Sequence, residues 1–326
     1  MSAIAVLIPC FNEEKTIAKV VRDFIGILPG ADIYVYDNNS TDNSVHEASA
    51  AGAIVRFEKK QGKGNVIRAM FRDIEADIFV MVDGDDTYPA AKVHELIRPV
   101  LSGEADMVIG SRLHSLSDSS FKWLNRIGNK IFIAILNTIF RVRITDLLSG
   151  YRVFNRQMVK SLPVLSSGFE IETELTVKGL ERGYRVIEVP VNLSPRPDGS
   201  ESKINIIRDS VLIFYTIFAL FRDYKPLTVF GLMGLLFIAC GLVPGLVVSR
   251  EFLATGYISR IPSAILAIGL ILSGFLMFFM GVVLHAIAHR FQELDYQMRH
   301  FMGRIEQVSS GRNSRREGDD TLRARH

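Results

Sequence analysis

The sequence has little sulfur chemistry to offer. Among 326 residues there are two cysteines, Cys10 and Cys240. One lies in an N-terminal strand pattern and the other in a distant apolar run. No disulfide is expected, and the N-terminal part fits a reducing compartment. Charge of one sign is also missing: a net charge of +3 is too small to argue for nucleic acid as a partner. No basic segment precedes the apolar stretch Met1–Ile8, which ends at Pro9, so no signal peptide is expected. Three familiar ligand loops are absent as well. Gly62-Lys63-Gly64 lacks the earlier glycine and the Ser/Thr of a Walker loop. No GxGxxG follows the first strand pattern, which argues against a dinucleotide fold. The acidic run from Asp83 carries His94 where a calcium-binding EF-hand needs its twelfth-position Glu.

Apolar residues, 48% of the chain, are unevenly spread. Leu227–Val248 and Ile261–Leu284 are free of charge, and a bilayer core takes about 20 apolar residues as a helix. Gly231, Gly234, Gly241, Gly245, Gly269, Gly274 and Gly281 favour close-packed membrane helices. Pro244 is tolerated there more readily than in a soluble helix. The short connector Ser249–Arg260 makes the pair a hairpin. Arg222 and Lys225 precede it, and Arg290, Arg299, Arg304, Arg312, Arg315 and Arg316 follow it. Positive charge then places both ends in the cytoplasm. Glycine-rich spans suit a homo-oligomer. The last residues, Ser309–His326, are polar, arginine-rich and without period, which predicts a disordered tail.

From Met1 to about Leu193 strand and helix patterns alternate. Strands are predicted at Ile4–Ile8, Ile33–Tyr36, Ala53–Phe57, Ile78–Val82 and Met107–Gly110. Helices are predicted at Asn12–Leu28, Asp42–Ala51, Gly64–Ile74 and Ala90–Leu101. This order implies an α/β fold, a parallel sheet covered on both faces. Ligands of such sheets gather beyond the carboxyl ends of the strands. Each predicted strand here ends in polar residues: Pro9 to Glu14, Asp37 to Asp42, Lys59 to Gly64, Asp83 to Asp86, and Gly110 to Arg112. Acceptors for a base and ribose, cations for phosphates and carboxylates for a metal recur along one edge.

The crowding of Asp83, Asp85 and Asp86 behind a buried strand calls for an explanation, because like charges so close repel. Asp83 and Asp85 stand two apart on an extended chain, so their side chains lean to the same side. A divalent ion between them would remove the repulsion, with Asp86 pointing elsewhere.

The segments "IPCFNEE", "DNNSTD", "VDGDD", "LLSGYRVF" and "FEIETEL" together resemble a family 2 glycosyltransferase, in the branch that glycosylates polyprenyl phosphates. Residues 1–225 carry the catalytic resemblance, and the two-helix anchor extends it. Asn38 stands where the family often has a second Asp. The resemblance implies a GT-A type, Rossmann-like, mostly parallel domain over residues 1–200. A juxtamembrane helix over 201–225, two spans over 226–289 and a basic tail over 290–326 would follow. It implies transfer of a hexose-type sugar from a nucleoside-diphosphate sugar, UDP favoured over GDP, to a polyprenyl phosphate with inversion, at the cytoplasmic face of a cell membrane. It implies Mg2+ or Mn2+ on Asp83 and Asp85, and base and ribose contacts from Pro9, Asn12, Glu13 and Asp37. Lys63, Arg112 and Glu172 are further donor-site residues. Asp146 matches the proposed catalytic aspartate, as base or as orienting group. Glu174 reads as a surface charge.

The acceptor phosphate needs cations near the membrane, and Arg196 and Lys203 fit. The segments Phe121–Phe140 and Ile204–Phe221 read as interfacial. A processive polysaccharide synthase would typically carry QxxRW and more spans, and the single Trp123 sits in "FKWLN" instead. A catalytically inactive scaffold is disfavoured by intact Asp83, Asp85 and Asp146.

Overall fold

The computed structural model describes residues 2–112, 133–134, 136–138, 140–168, 170–193, 222 and 225–323. The expectations for Arg196, Lys203, Ile204–Phe221 and most of Phe121–Phe140 fall outside the described residues. The chain divides into two units, Met1–Ile217 and Phe218–His326.

The first unit is built on a seven-stranded sheet in the order β3-β2-β1-β4-β6-β5-β7. The strands are β1 (Ile4–Cys10), β2 (Asp32–Asp37), β3 (Ile54–Phe57), β4 (Ile78–Met81), β5 (Met107–Arg112), β6 (Arg152–Asn155) and β7 (Val186–Val191). β6 alone runs antiparallel, wedged between β4 and β5. The other six therefore point the same way, and their carboxyl ends share one edge. Cys10 lies beside Asp37, and Asp37 beside Phe57. Five of the strands were legible as apolar runs, each within two residues of its observed ends. β6 and β7 were not. β6 is four residues long, and β7 contains Pro190, which an edge strand accommodates because one side needs no ladder partner.

Helices cover both faces. α1 (Ile17–Ile27) buries Ile17, Val20, Val21 and Phe24, a stripe at helical spacing. With Val93, Leu96, Ile97 and Val100 of α4 (Val93–Leu101) it covers Val6, Ile8, Val35, Val80, Val108 and Val153. Successive strand residues alternate faces, so Phe79 and Phe154 point the other way. There α3 (Lys63–Asp73) meets them edge-on through Phe71, with ring centroids 6.5 and 5.6 Å apart. α2 (Ser44–Ala50) and α5 (Arg156–Ser161) are short connectors. α6 (Ile171–Glu181) is buried along nearly its whole length.

The second unit contains α7 (Pro226–Thr255) and α8 (Ile261–Arg323). Pro226–Thr255 and Ile261–Phe291 are long and apolar enough to cross a membrane. α8 continues through Arg323, across most of the residues expected as a tail. Phe291, Leu294, Met298, Phe301, Ile305 and Val308 recur at spacings of three and four, a helical period overlooked beside the arginines.

Small residues set how closely α7 and α8 approach. A Cβ on Gly274 would meet the Gly234 carbonyl and Ile238, and one on Gly241 would meet Ile271 and Ala267. Gly231 and Gly269 face open space, so not every glycine of the runs serves packing. Gly274→Leu should therefore lower the melting temperature in detergent by an overpacking cost of about 1–3 kcal/mol. An unchanged melting temperature would show that the helices do not meet through this face.

Candidate active site

Four loops of the carboxyl edge are stitched to one another by their own polar groups. Asn12 adopts a left-handed backbone, φ 52°. Its N–H donates to Ser40 Oγ at 2.9 Å, and its Oδ1 accepts from Thr41 N–H at 2.8 Å. Glu13 N–H donates to Ser44 Oγ at 2.7 Å. Asp37, buried at the end of β2, accepts from Ser40 N–H. Pro9 sits within β1 opposite Tyr36. The predicted base and ribose residues Pro9, Asn12, Glu13 and Asp37 are thus gathered in adjoining segments.

Asn38 has a structural reason for not being aspartate. Its amide donates to the carbonyls of Glu58 and Lys60 at 2.8 and 2.9 Å, and its Oδ1 accepts from Gly62 N–H at 2.7 Å. A carboxylate could accept but could not donate. Asn38 therefore shapes the loop that delivers Lys63.

The acidic turn behind β4 is relieved piece by piece. Lys63 Nζ lies 2.5 Å from Asp83 Oδ1 and 2.5 Å from Glu172 Oε1. Asp85 accepts from the hydroxyl of Thr87 at 2.6 Å and from its N–H. Asp86, with φ 58°, pairs with Lys19 at 2.7 Å. Gly84 O accepts from Thr16 Oγ1 at 2.7 Å. The proximity of the carboxylates is thus tolerated because each has its own donor.

Lys63 is no solvated loop lysine: its side chain is 11% exposed. Burial works against its ammonium, but the charges of Asp83 and Glu172 outweigh that and keep it protonated. Burial pushes the Glu172 carboxyl above its ordinary range, against the pull of Lys63. Lys63, expected to contact phosphate or sugar, lies on the carboxylates of Asp83 and Glu172. Glu174, expected at the surface, is buried. It pairs with Lys178 at 2.5 Å and accepts from the amides of Leu165 and Ser166.

Whether this site suits a divalent ion can be judged from its donors. Among the described residues no group of three or more metal-ligating side chains is assembled. Hard cations such as Mg2+, however, take one or two carboxylates and complete their shell with water and substrate phosphates. Asp83 already holds a cation, the Lys63 ammonium. Glu172 Oε2 is buried with no hydrogen-bond partner among the described residues. Lys63 offsets one of the three charges of Asp83, Asp85 and Glu172. Oxygen donors with a residual negative charge fit the ion, and Asp83 and Asp85 are the residues that would hold it.

Beside this cluster stands a second one. Asp146 Oδ2 accepts from Arg112 Nε at 2.6 Å, and Oδ1 from Arg112 Nη2 at 2.8 Å, a two-pronged pair. Burial pushes the Asp146 carboxyl up, but the hydrogen bonds and charge of Arg112 prevail and hold it below the usual carboxylate range. Asp146 caps no helix, since Leu148 N–H, its other donor, lies in a loop. Arg112 keeps Nη1 without a partner among the described residues.

Four residues that the sequence reading did not assign bring the clusters together. A Cβ on Gly150 would overlap the Asp83 carboxylate, so Asp83 lies flat on that backbone. Tyr88 accepts from Gly150 N–H at 2.9 Å, and burial followed by the Asp83 charge raises its pKa. Arg152 and Glu188 hold the intervening loop. The segment "SGYR" carried a signal, a glycine and an arginine beside an apolar strand, but its meaning depended on β6 being central.

With this geometry in view, comparison with known proteins gives the family. Residues 5–162 match the model of Glycosyl transferase family 2. The chain is 35% identical over 284 residues to glycosyltransferase AglJ of Haloferax volcanii, covering 86% of this chain and 92% of that protein. This chain belongs to glycosyl transferase family 2. A second Haloferax volcanii relative, a dolichyl-phosphate hexose transferase, is 27% identical over 202 residues, 62% of this chain and 86% of that one. Glucosyl-3-phosphoglycerate synthase from Mycobacterium tuberculosis, solved with Mn2+, UDP-glucose and phosphoglyceric acid, superposes with a TM-score of 0.56 at 22% identity. That match covers 68% of this chain and 79% of that one, and it supports the fold.

Two outcomes are expected. Gly150→Ala should displace Asp83 and weaken Mn2+-dependent nucleotide binding by about tenfold or more in calorimetry, given the cost of misplacing a site group. Unchanged affinity would remove Gly150 from the site. Because Arg112 keeps Asp146 ionised well into acid, Asp146 should not set the acid limb of the pH–rate profile. With a phosphate monoester acceptor the limb should lie near the acceptor's own second ionisation, about 6. A limb near 6 that persists with a non-titrating acceptor would contradict this.

Proposed function

We propose that this glycosyltransferase moves a hexose-type sugar from a nucleoside diphosphate, UDP in the favoured case, to the phosphate of a polyprenyl lipid. In a bacterial membrane the acceptor would be undecaprenyl phosphate. The observation that carries the reading is the occurrence in one chain of the Asp83–Lys63–Glu172 cluster at the sheet edge and two apolar helices of membrane length. The dolichyl-phosphate hexose transferase among the relatives supports a lipid-phosphate acceptor, and the arginine-rich flanks support a catalytic domain on the cytoplasmic side of a cell membrane.

The residues divide the chemistry as follows. Pro9, Asn12, Glu13 and Asp37 receive the base and ribose. Asp83 and Asp85 hold Mg2+ or Mn2+, which when bound neutralises diphosphate charge as the glycosidic bond breaks. Lys63 gives up Asp83 to the incoming donor and remains, still protonated, as a second cation for the leaving diphosphate. Glu172 keeps Lys63 in reach.

The acceptor arrives as an oxyanion, largely dianionic at pH 7, so little base catalysis is required. Asp146 accordingly serves by holding Arg112 rather than by taking a proton. The free edge of the Arg112 guanidinium offers a phosphate oxygen a fixed donor. Attack by the acceptor oxygen in a single displacement inverts the anomeric carbon. Arg196 and Lys203 complete the reading as lipid-phosphate contacts, and the close-packed hairpin suits a homo-oligomer.

The test is a screen of radiolabelled sugar nucleotides against polyprenyl phosphate in detergent or membranes, with Asp83→Asn and Asp146→Asn as controls. Labelled lipid should form with one donor, should need a divalent ion, and should fall by about a hundredfold or more in both variants. Transfer to a water-soluble acceptor with none to lipid phosphate would overturn the reading.

A further inference from the structure

Asp146 and Asp83 belong to opposite halves of the site, yet one short strap, Thr145–Gly150, fixes both. Asp146 is part of it, and Gly150 is the surface on which Asp83 rests. The strap has no regular secondary structure of its own, so its peptide groups need partners elsewhere.

Two charged side chains of opposite sign supply most of them. Glu188 of β7 accepts from the N–H groups of Thr145 and Asp146 at 2.7 and 2.8 Å, and from the Thr145 hydroxyl at 2.7 Å. Arg152, the first residue of β6, donates to the carbonyls of Leu147 and Ser149 at 2.7 and 2.8 Å. Its third prong reaches Thr176 Oγ1 at 2.7 Å on α6, the helix that carries Glu172. Ser149 Oγ donates to Gly110 O at 2.5 Å, and the Tyr88 hydroxyl takes the Gly150 N–H.

Arg152 is the costly member. It is 0% exposed and, among the described residues, meets no carboxylate directly. Burial outweighs the more distant charges of Glu172 and Asp146 and leaves its pKa lowered to about 10. A buried cation without a contacting counter-ion is expensive, and an apolar side chain of similar volume would pack there more cheaply. What only a guanidinium supplies is a rigid planar fork that spans two carbonyls and a hydroxyl at once. The backbone of Arg152 also pairs with Met81 and Ile109, on the two strands that lead to Asp83 and Arg112.

We infer that Arg152 and Glu188 are positioning residues of the transfer reaction, clamping the Thr145–Gly150 strap so that Asp146 and Asp83 keep their separation. Neither touches substrate. The assignment rests on the reading of Asp146 and Asp83 given above, and its test includes one readout that does not.

The experiment compares wild type with Glu188→Gln and Arg152→Lys. Glu188 is half-buried on an edge strand, so its variant should fold even if the Arg152 variant does not. Amide hydrogen exchange is followed on the peptide spanning the strap in the full chain without substrate. Steady-state transfer and UDP binding with Mn2+ are measured alongside. Both variants should exchange the strap amides about tenfold faster or more, a loosening that leaves the rest of the sheet protected. Transfer should fall by about tenfold or more in kcat with donor KM unchanged, as expected for misplaced rather than missing groups. Strap protection equal to wild type, or an unchanged kcat, would overturn the inference. If wild type glycosylates no lipid phosphate, the functional reading fails, and the exchange result still decides the clamp.

Discussion

The ammonium of Lys63, 2.5 Å from a carboxylate of Asp83 and 2.5 Å from one of Glu172, is the interaction on which the site depends. Without it, buried carboxylates would face one another across the sheet edge, and burial would drive protons onto them. With it, the carboxylates of Asp83 and Glu172 share one cation. The cost is met by architecture. Asn38 fixes the loop from which α3 starts, Gly150 leaves room for Asp83, and the wholly buried start of α6 presents Glu172.

The sheet topology explains why these residues meet. β4 and β5 end beside each other only through β6, the antiparallel strand between them. The strap that precedes β6 therefore lies across the ends of both neighbours. Asp83 follows one, Arg112 ends the other, and Asp146 and Gly150 belong to the strap itself. A purely parallel sheet would leave these groups on separate loops. Two ion clusters, Lys63 with Asp83 and Glu172, and Arg112 with Asp146, thus share one frame. In the proposed function the first receives the diphosphate and the second the attacking phosphate oxyanion.

The limits of the sequence reading follow from the same geometry. Strands such as Ile78–Met81 and the stripe of α1 are local patterns, and the loops after them are polar whatever the tertiary structure, so fold and edge were legible. Asp37, Asp83 and Arg112 stood out because a carboxylate or guanidinium at the end of a buried strand is unusual, and Asp146 because its segment resembles the family's. Partnerships were not legible. Lys63 looked like a phosphate-loop lysine, and nothing local announces Glu172, more than a hundred residues later, as its partner. Glu174 looked solvated because α6 has no polar face to betray its burial. Glu188 and Arg152 were not singled out, because β6 and β7 were not legible and the loop these residues hold is known only once the strands are ordered.

The central claim is that the acidic edge is a cation site which Asp83 opens to a nucleotide donor. Titration of Mn2+ followed by electron paramagnetic resonance, with UDP present, tests it most directly on wild type and Asp83→Asn. The account predicts that wild type takes up one Mn2+ per chain in a nucleotide-dependent manner, and that the variant takes up none. Nucleotide-dependent uptake by Asp83→Asn equal to that of wild type would contradict it.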